Sequence, residues 1–129
     1  MSIEPIVAVE ALTRVFRRRG APDLTALDAM TFRIAPGESV GYIGANGAGK
    51  STTIKMLTGI LAPTSGTART IGLDPMRGRR ELARRVGVVF GQRSQLWWDL
   101  PLRESFDILA AIHRIDPQRA ARRIAQLVD

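Results

Sequence analysis

The sequence predicts an α/β fold built around a phosphate-binding loop, and three observations carry that reading. Gly44-Ala45-Asn46-Gly47-Ala48-Gly49-Lys50-Ser51 fits the pattern G-x-x-x-x-G-K-[ST]. A short apolar run leads into it and a helical period follows it. Segments with strand and helix patterns alternate through the rest of the 129 residues, as expected of sheet and helix layers sharing one core.

Taken in order, Val7, Val9, Leu12 and Val15 interleave with polar residues, as do Leu27, Met30, Phe32 and Ile34, and both stretches read as strands of a partly antiparallel N-terminal β-subdomain. Between them Arg17 to Thr25, with three consecutive arginines, Gly20 and Pro22, reads as a surface loop. Ala35-Pro36-Gly37-Glu38 is a turn signal, and Val40-Gly41-Tyr42-Ile43 has the near-continuous apolarity of a buried strand. From Lys50 the apolar positions Ile54, Leu57 and Ile60 or Leu61 recur every three or four residues, which predicts a helix ended by Pro63. A short strand is expected over 68–71. Asp74-Pro75 then suits a cap and first turn for a basic helix over 76–85. Val86 to Phe90 reads as a second buried strand and Gly91 to Asp99 as a loop. Two helices finish the chain, 102–115 and 117–128, the latter capped by Asp116. No repeat, low-complexity tract or linker divides the chain, so 1–129 is expected to be one domain or a large part of one.

Composition removes several function classes. Without cysteine there is neither a disulfide framework nor a thiolate metal site, and a lone His113 inside a helical pattern reads as structural. The start has no basic leader with an apolar core and cleavage site, and nowhere are there eighteen consecutive apolar residues, so the expectation is a chain that stays cytoplasmic and reaches a membrane by docking on another subunit. The formal charge of +7 favours anionic partners. It is an arginine excess, with Lys50 and Lys55 the two lysines, and coding bias explains such a skew as well as nucleic-acid binding does, so charge alone does not argue for nucleic acid. The cluster Arg77, Arg79, Arg80, Arg84 and Arg85 reads as a solvated helix face.

The loop's spacing has a chemical reason. Glycines allow the backbone to curl so that successive N–H groups converge, and the following helix aims its positive end at the same point. Gly44, Asn46, Gly47, Ala48 and Gly49 supply that backbone; Lys50 reaches outer phosphates as a point charge, Ser51 completes the shell of a bridging Mg²⁺, and Thr52 is placed to bond an inner phosphate. At this chain's own residue frequencies the four fixed positions arise by chance somewhere in the sequence roughly 0.2 per cent of the time. The competing explanation is a glycine turn that caps a helix and binds nothing.

The run GANGAGKSTTIKMLTGILAPTSGTARTIG resembles the ATP-binding cassette (ABC) family, in which a helix, a Pro-x-Ser-Gly turn and a return strand follow the loop; Pro63-Thr64-Ser65-Gly66 matches that turn. Ala45 stands where the family often has Pro. Val86-Gly-Val-Val-Phe-Gly-Gln92 is similar to the strand leading to the family's glutamine loop, which implies that Gln92 contacts Mg²⁺ or the attacking water and is catalytic together with Lys50. RSQLWWDLP is similar to export-type ATPases that pair with separate membrane subunits, and one or both of the adjacent Trp97 and Trp98 are expected to face a partner, internal packing being the plainer alternative. Phe16, after Leu12-Thr13-Arg14-Val15, sits where the family places an aromatic that stacks on adenine; an end-of-strand core residue is the plainer reading.

The resemblance implies a P-loop nucleoside triphosphate hydrolase fold of ABC type in truncated form. It implies an ATP-binding domain over 1–129 with phosphate loop and glutamine loop, whose signature, carboxylate-bearing strand and switch histidine would lie past Asp129. Ala120, Ala121, Ile124, Leu127 and Val128 keep helical spacing, so Leu127-Val128-Asp129 is read as helix and not as that strand. The implied role is ATP binding with Mg²⁺ and, in the intact protein, hydrolysis driving export. The implied partners are a transmembrane permease subunit and a second ATP-binding subunit, on the cytoplasmic face of the plasma membrane. The 129 residues by themselves are expected to bind ATP weakly and turn it over negligibly. Two other classes remain: a soluble ABC-type ATPase acting on nucleic acid or ribosomes, and a non-catalytic remnant.

Overall fold

The computed structural model describes residues 4–47, 49–89, 91 and 96–128. The chain divides into two compact units, Met1–Val86 and Gly87–Asp129.

In the first unit, strands β1 (Val7–Phe16), β2 (Leu24–Ile34) and β3 (Ser65–Thr70) form an antiparallel sheet in the order β2-β1-β3. This is the β-subdomain expected from the alternating patterns, and its irregularities account for spacings that strict alternation does not. Val9 and Leu12 lie three apart, yet both are fully buried. Ala11, at φ 45°, is an extra residue between the pairs Val9↔Phe32 and Leu12↔Met30, so the face that points inward changes there. A matching irregularity in β2 places Ala29 at φ 44°. Each displaced amide loses its ladder partner and is satisfied by a threonine: Ala11 N donates to Thr31 Oγ1 at 2.9 Å and Ala29 N to Thr13 Oγ1 at 2.9 Å.

Helix α1 (Lys50–Leu57) lies on this sheet, with Met56 joining Val9, Leu12 and Leu27 in one buried cluster flanked by Met30, Phe32, Leu57 and Leu61. It stops short of the expected Pro63. Gly59 adopts φ 75° and donates to Met56 O, while Ile60 N donates to Lys55 O at 2.8 Å, a left-handed termination that bonds the last carbonyls. A Cβ on Gly59 would run into the Pro75 carbonyl, so glycine is required there on two counts. The basic helix is also shorter than its pattern: α2 spans Arg79–Arg85, and residues 75–78 form a turn. Asp74 holds that turn by accepting the amides of Met76 at 2.9 Å and Arg77 at 3.1 Å. Those two hydrogen bonds, Arg77 first, hold its carboxyl below the ordinary carboxylate value.

The expected buried strands over 40–43 and 86–90 are corrected. Residues 40–43 and 86–89 form no strand, and Phe90 lies outside the described residues. Ile43 is 94% exposed and Val89 81%. Near-continuous apolarity marks a strand covered on both faces, and that cover and the flanking ladders are not supplied by the described residues of either unit.

In the second unit, α3 (Leu102–Ile112) and α4 (Pro117–Val128) pair. Arg114 at φ 53° ends α3, with Ile115 N donating to Ala110 O at 2.9 Å, so the helix stops three residues before its expected end. His113, expected inside the helix, is its C-terminal cap residue. Asp116 caps α4 as its sequence predicts, accepting Arg119 N at 3.0 Å. The apolar faces of the two helices, with Leu102, Phe106, Ala110, Ile124 and Val128, line an open groove of about 640 Å³. Among the described residues no helix is long and apolar enough to cross a membrane.

Candidate functional site

The phosphate loop is shaped by close approach to the sheet. Gly49, the N-cap of α1, is buried at φ 81°, and a Cβ there would penetrate the carbonyl oxygen of Ala26. Ala26 is itself the extra β2 residue between the pairs Arg14↔Leu27 and Val15↔Thr25, so the sheet irregularity and the glycine fit one another. Gly47 shares the left-handed conformation at φ 86°.

A second anchor comes from Tyr42 and Thr53. The Thr53 side chain is buried and donates to Gly49 O at 3.0 Å. The Tyr42 hydroxyl lies 3.2 Å from both Thr53 Oγ1 and Met30 Sδ, and its ring stacks on Phe32 with centroids 6.4 Å apart. The segment entering the loop is thereby tied to the first turn of the helix leaving it. Neither Tyr42 nor Thr53 stands out in the motif. A hydroxyl-bearing ring within an apolar run, and a threonine four residues after a helix-opening glycine, were the signals available.

Within this frame Lys50 folds back over the loop, its ammonium donating to the carbonyl oxygens of Gly44 and, at 2.6 Å, Ala45. The cation therefore rests against the backbone that enters the loop. Among the described residues no side chain caps the N-terminus of α1, and no acidic residue sits in its first turn to offset the positive end of the helix. Ser51 is exposed and Thr52 half-buried at that end. Asn46 forms part of a turn with Gly47; Gly44 is exposed. Among the described residues no group of three or more His, Cys, Asp and Glu could hold a metal ion. The side-chain oxygens at the loop and helix start, those of Asn46, Ser51 and Thr52, are neutral, which suits a hard cation shared with other oxygens and not an all-protein cage.

Phe16 ends β1 opposite Leu24 and is half-buried, with the Arg14 guanidinium 4.6 Å from the ring centroid. Trp98 is 99% exposed and Trp97 39%, in a turn where Ser105 Oγ donates to Trp97 O at 3.4 Å. Of the sequence-predicted site residues, Gly44, Asn46, Gly47, Gly49, Lys50, Ser51 and Thr52 come together at one loop and helix start. Ala48 and Gln92 lie outside the described residues.

The sequence profile of the family described as ABC transporter matches residues 27–129. The chain belongs to that family. The Nod factor export ATP-binding protein I of Paraburkholderia xenovorans (strain LB400) is 53% identical over 66 residues, covering 50% of this chain and 21% of that protein. The methionine import ATP-binding protein MetN of Corynebacterium glutamicum is 38% identical over 90 residues, covering 67% of this chain and 25% of that protein. A solved ATP binding subunit of an ABC transporter superposes with a TM-score of 0.74 at 28% identity, covering 95% of this chain and 49% of the other. The fold is thus that of an ABC-type P-loop domain. This ABC transporter chain spans a quarter or less of the two curated relatives and about half of the solved subunit.

Proposed function

We propose that this chain is the nucleotide-binding part of an ABC ATP-binding subunit, holding the triphosphate of MgATP between the loop amides, Lys50 and the start of α1. The observation that carries this reading is the Lys50 ammonium held against the Gly44 and Ala45 carbonyls beside an uncapped helix start. Two carbonyls are modest partners for an ammonium, and phosphate oxygens, carrying full charge, are stronger ones. Lys50 exchanges the one pair for the other on binding, while Gly49 keeps the backbone close enough for its neighbours' amides to donate. Ser51 offers its hydroxyl to Mg²⁺, which when bound offsets charge on the phosphates. Thr52 donates to an inner phosphate, Phe16 stacks on the base, and Gln92 serves the metal or the attacking water.

In the intact protein this binding is coupled to hydrolysis and transport through a permease subunit at the cytoplasmic membrane face, with a second ATP-binding subunit closing over the nucleotide. The similarity of the run around Trp97 and Trp98 to export-type ATPases supports export. The exposure of both indoles is in keeping with a surface that a partner covers.

Titration calorimetry with millimolar MgATP tests the binding reading. Heat that saturates in the unaltered chain and falls at least tenfold in apparent affinity with Lys50→Ala is expected. No heat with folded material would leave only a glycine turn. Steady-state turnover by the 129 residues is expected to be negligible, and family-like turnover abolished by Lys50→Ala would overturn that expectation.

A further inference from the structure

We propose that Arg14 is a positioning residue for base recognition: its guanidinium covers one face of the Phe16 ring and is tied to the Ala62 carbonyl, leaving the opposite face for a purine. This rests on the reading that Phe16 stacks on the base of ATP.

Arg14 and Phe16 are two apart on β1 and so share one face of the strand. The guanidinium carbon stands 4.6 Å from the ring centroid, and the Arg14 Nη1 donates to Ala62 O at 2.8 Å. Arg14 Nε is buried and finds no acceptor among the described residues. A desolvated donor without a partner is unfavourable, so the side chain is held in this pose by its other two contacts, the ring and the carbonyl. The acceptor end is fixed in turn. Thr64 Oγ1 accepts Val15 N at 3.0 Å and Thr64 N donates to Thr13 O at 2.8 Å, clamping the turn that carries Ala62 to the end of β1.

This geometry has two effects on Phe16. It occupies one face of the half-buried ring, so a base that stacks on Phe16 takes the other. It also draws π density toward the cation, which lessens repulsion between the outer face and the electron cloud of a stacked base. Ala62 follows α1 by a short turn, so the chain that orders Lys50 and Ser51 also supplies the carbonyl that orders the base-stacking ring. Phosphate and base recognition are thereby joined through Arg14.

A purely structural Arg14 would influence folding and every ligand alike; a positioning Arg14 influences the base alone. The test compares the affinity of the chain for MgATP with that for magnesium tripolyphosphate, which has no base, in the unaltered chain and in Arg14→Met, Arg14→Lys, Phe16→Leu and the Arg14→Met/Phe16→Leu double variant. Thermal melts report folding. The expected result is that Phe16→Leu lowers the ATP-to-tripolyphosphate affinity ratio by at least about fivefold, as loss of a base-aromatic stack does. Arg14→Met should lower it about threefold or more with tripolyphosphate affinity unchanged, Arg14→Lys should retain part of it, and the double variant should lose no more than Phe16→Leu. The proposal is overturned if Arg14→Met weakens both ligands equally, leaves the ratio unchanged, or adds to Phe16→Leu. A ratio unmoved by Phe16→Leu also overturns it. Should neither ligand bind the unaltered chain, the phosphate-loop reading fails first and takes this one with it.

Discussion

A side chain at position 49 would have to occupy the space of the Ala26 carbonyl and adopt a left-handed backbone. Left-handed geometry alone disfavours an alanine by about 1–2 kcal/mol, and the clash adds to it because backbone, not a flexible side chain, is in the way. Gly49→Ala is therefore expected to lower thermal stability and to abolish ATP binding at concentrations where Lys50→Ala still shows weak heat; a melt superimposable on the parent would contradict the close approach. Asp74 makes a different prediction. The Arg77 and Met76 amides keep its folded-state carboxyl below its ordinary value. Its contribution to stability is thus fully present above the unfolded value, about 3.9, and is lost as pH falls through the lower folded one. Asp74→Asn should lower the neutral plateau of a stability-versus-pH curve and flatten its acid limb below about pH 4, so that variant and parent converge in acid, and an unchanged limb would count against the amide contacts.

The elements show the same economy in their ends. α1 and α3 both finish in a left-handed residue, Gly59 in one and Arg114 in the other, with paired amides returning to the last turn. Arginine is an unfavourable choice at φ 53°, where glycine carries no side-chain penalty. α4 is opened by Asp116 through a single carboxylate bond to the Arg119 amide. Replacing it by alanine is expected to cost about 1 kcal/mol, read as an earlier melt of the far-ultraviolet helical signal with the β1–β2–β3 sheet unaffected. Loss of sheet and helix together would show that α4 unfolds with the first unit and not by itself.

For the whole molecule the deciding feature is apolar surface without cover. Ile43 is 94% exposed, Val89 81% and Trp98 99%, while among the described residues few hydrophobic side chains are fully buried. Domains place such residues inside, and contiguous exposed apolar surface drives association. Sedimentation velocity is expected to show concentration-dependent self-association in the micromolar range, reduced by Ile43→Ser; a strictly monomeric chain at all concentrations would refute it.

Local chemistry was legible from the residues themselves. The helix that the glycine loop opens and the Asp116 cap rest on contacts within a few positions of one another, and the alternation within β1 and within β2 is likewise local, so each leaves a pattern in the chain. What only the folded arrangement decided were the features made by residues far apart in sequence. The bulges that explain Val9 and Leu12 need Thr31 and Thr13 across the sheet. The glycine at 49 is demanded by Ala26, twenty-three positions earlier. Arg14 meets Ala62 only because a turn brings α1's far side back to β1. The expected strands over 40–43 and 86–90 fared worst for the same reason. Apolarity states that a segment seeks cover, and whether cover is present depends on partners that no local pattern names.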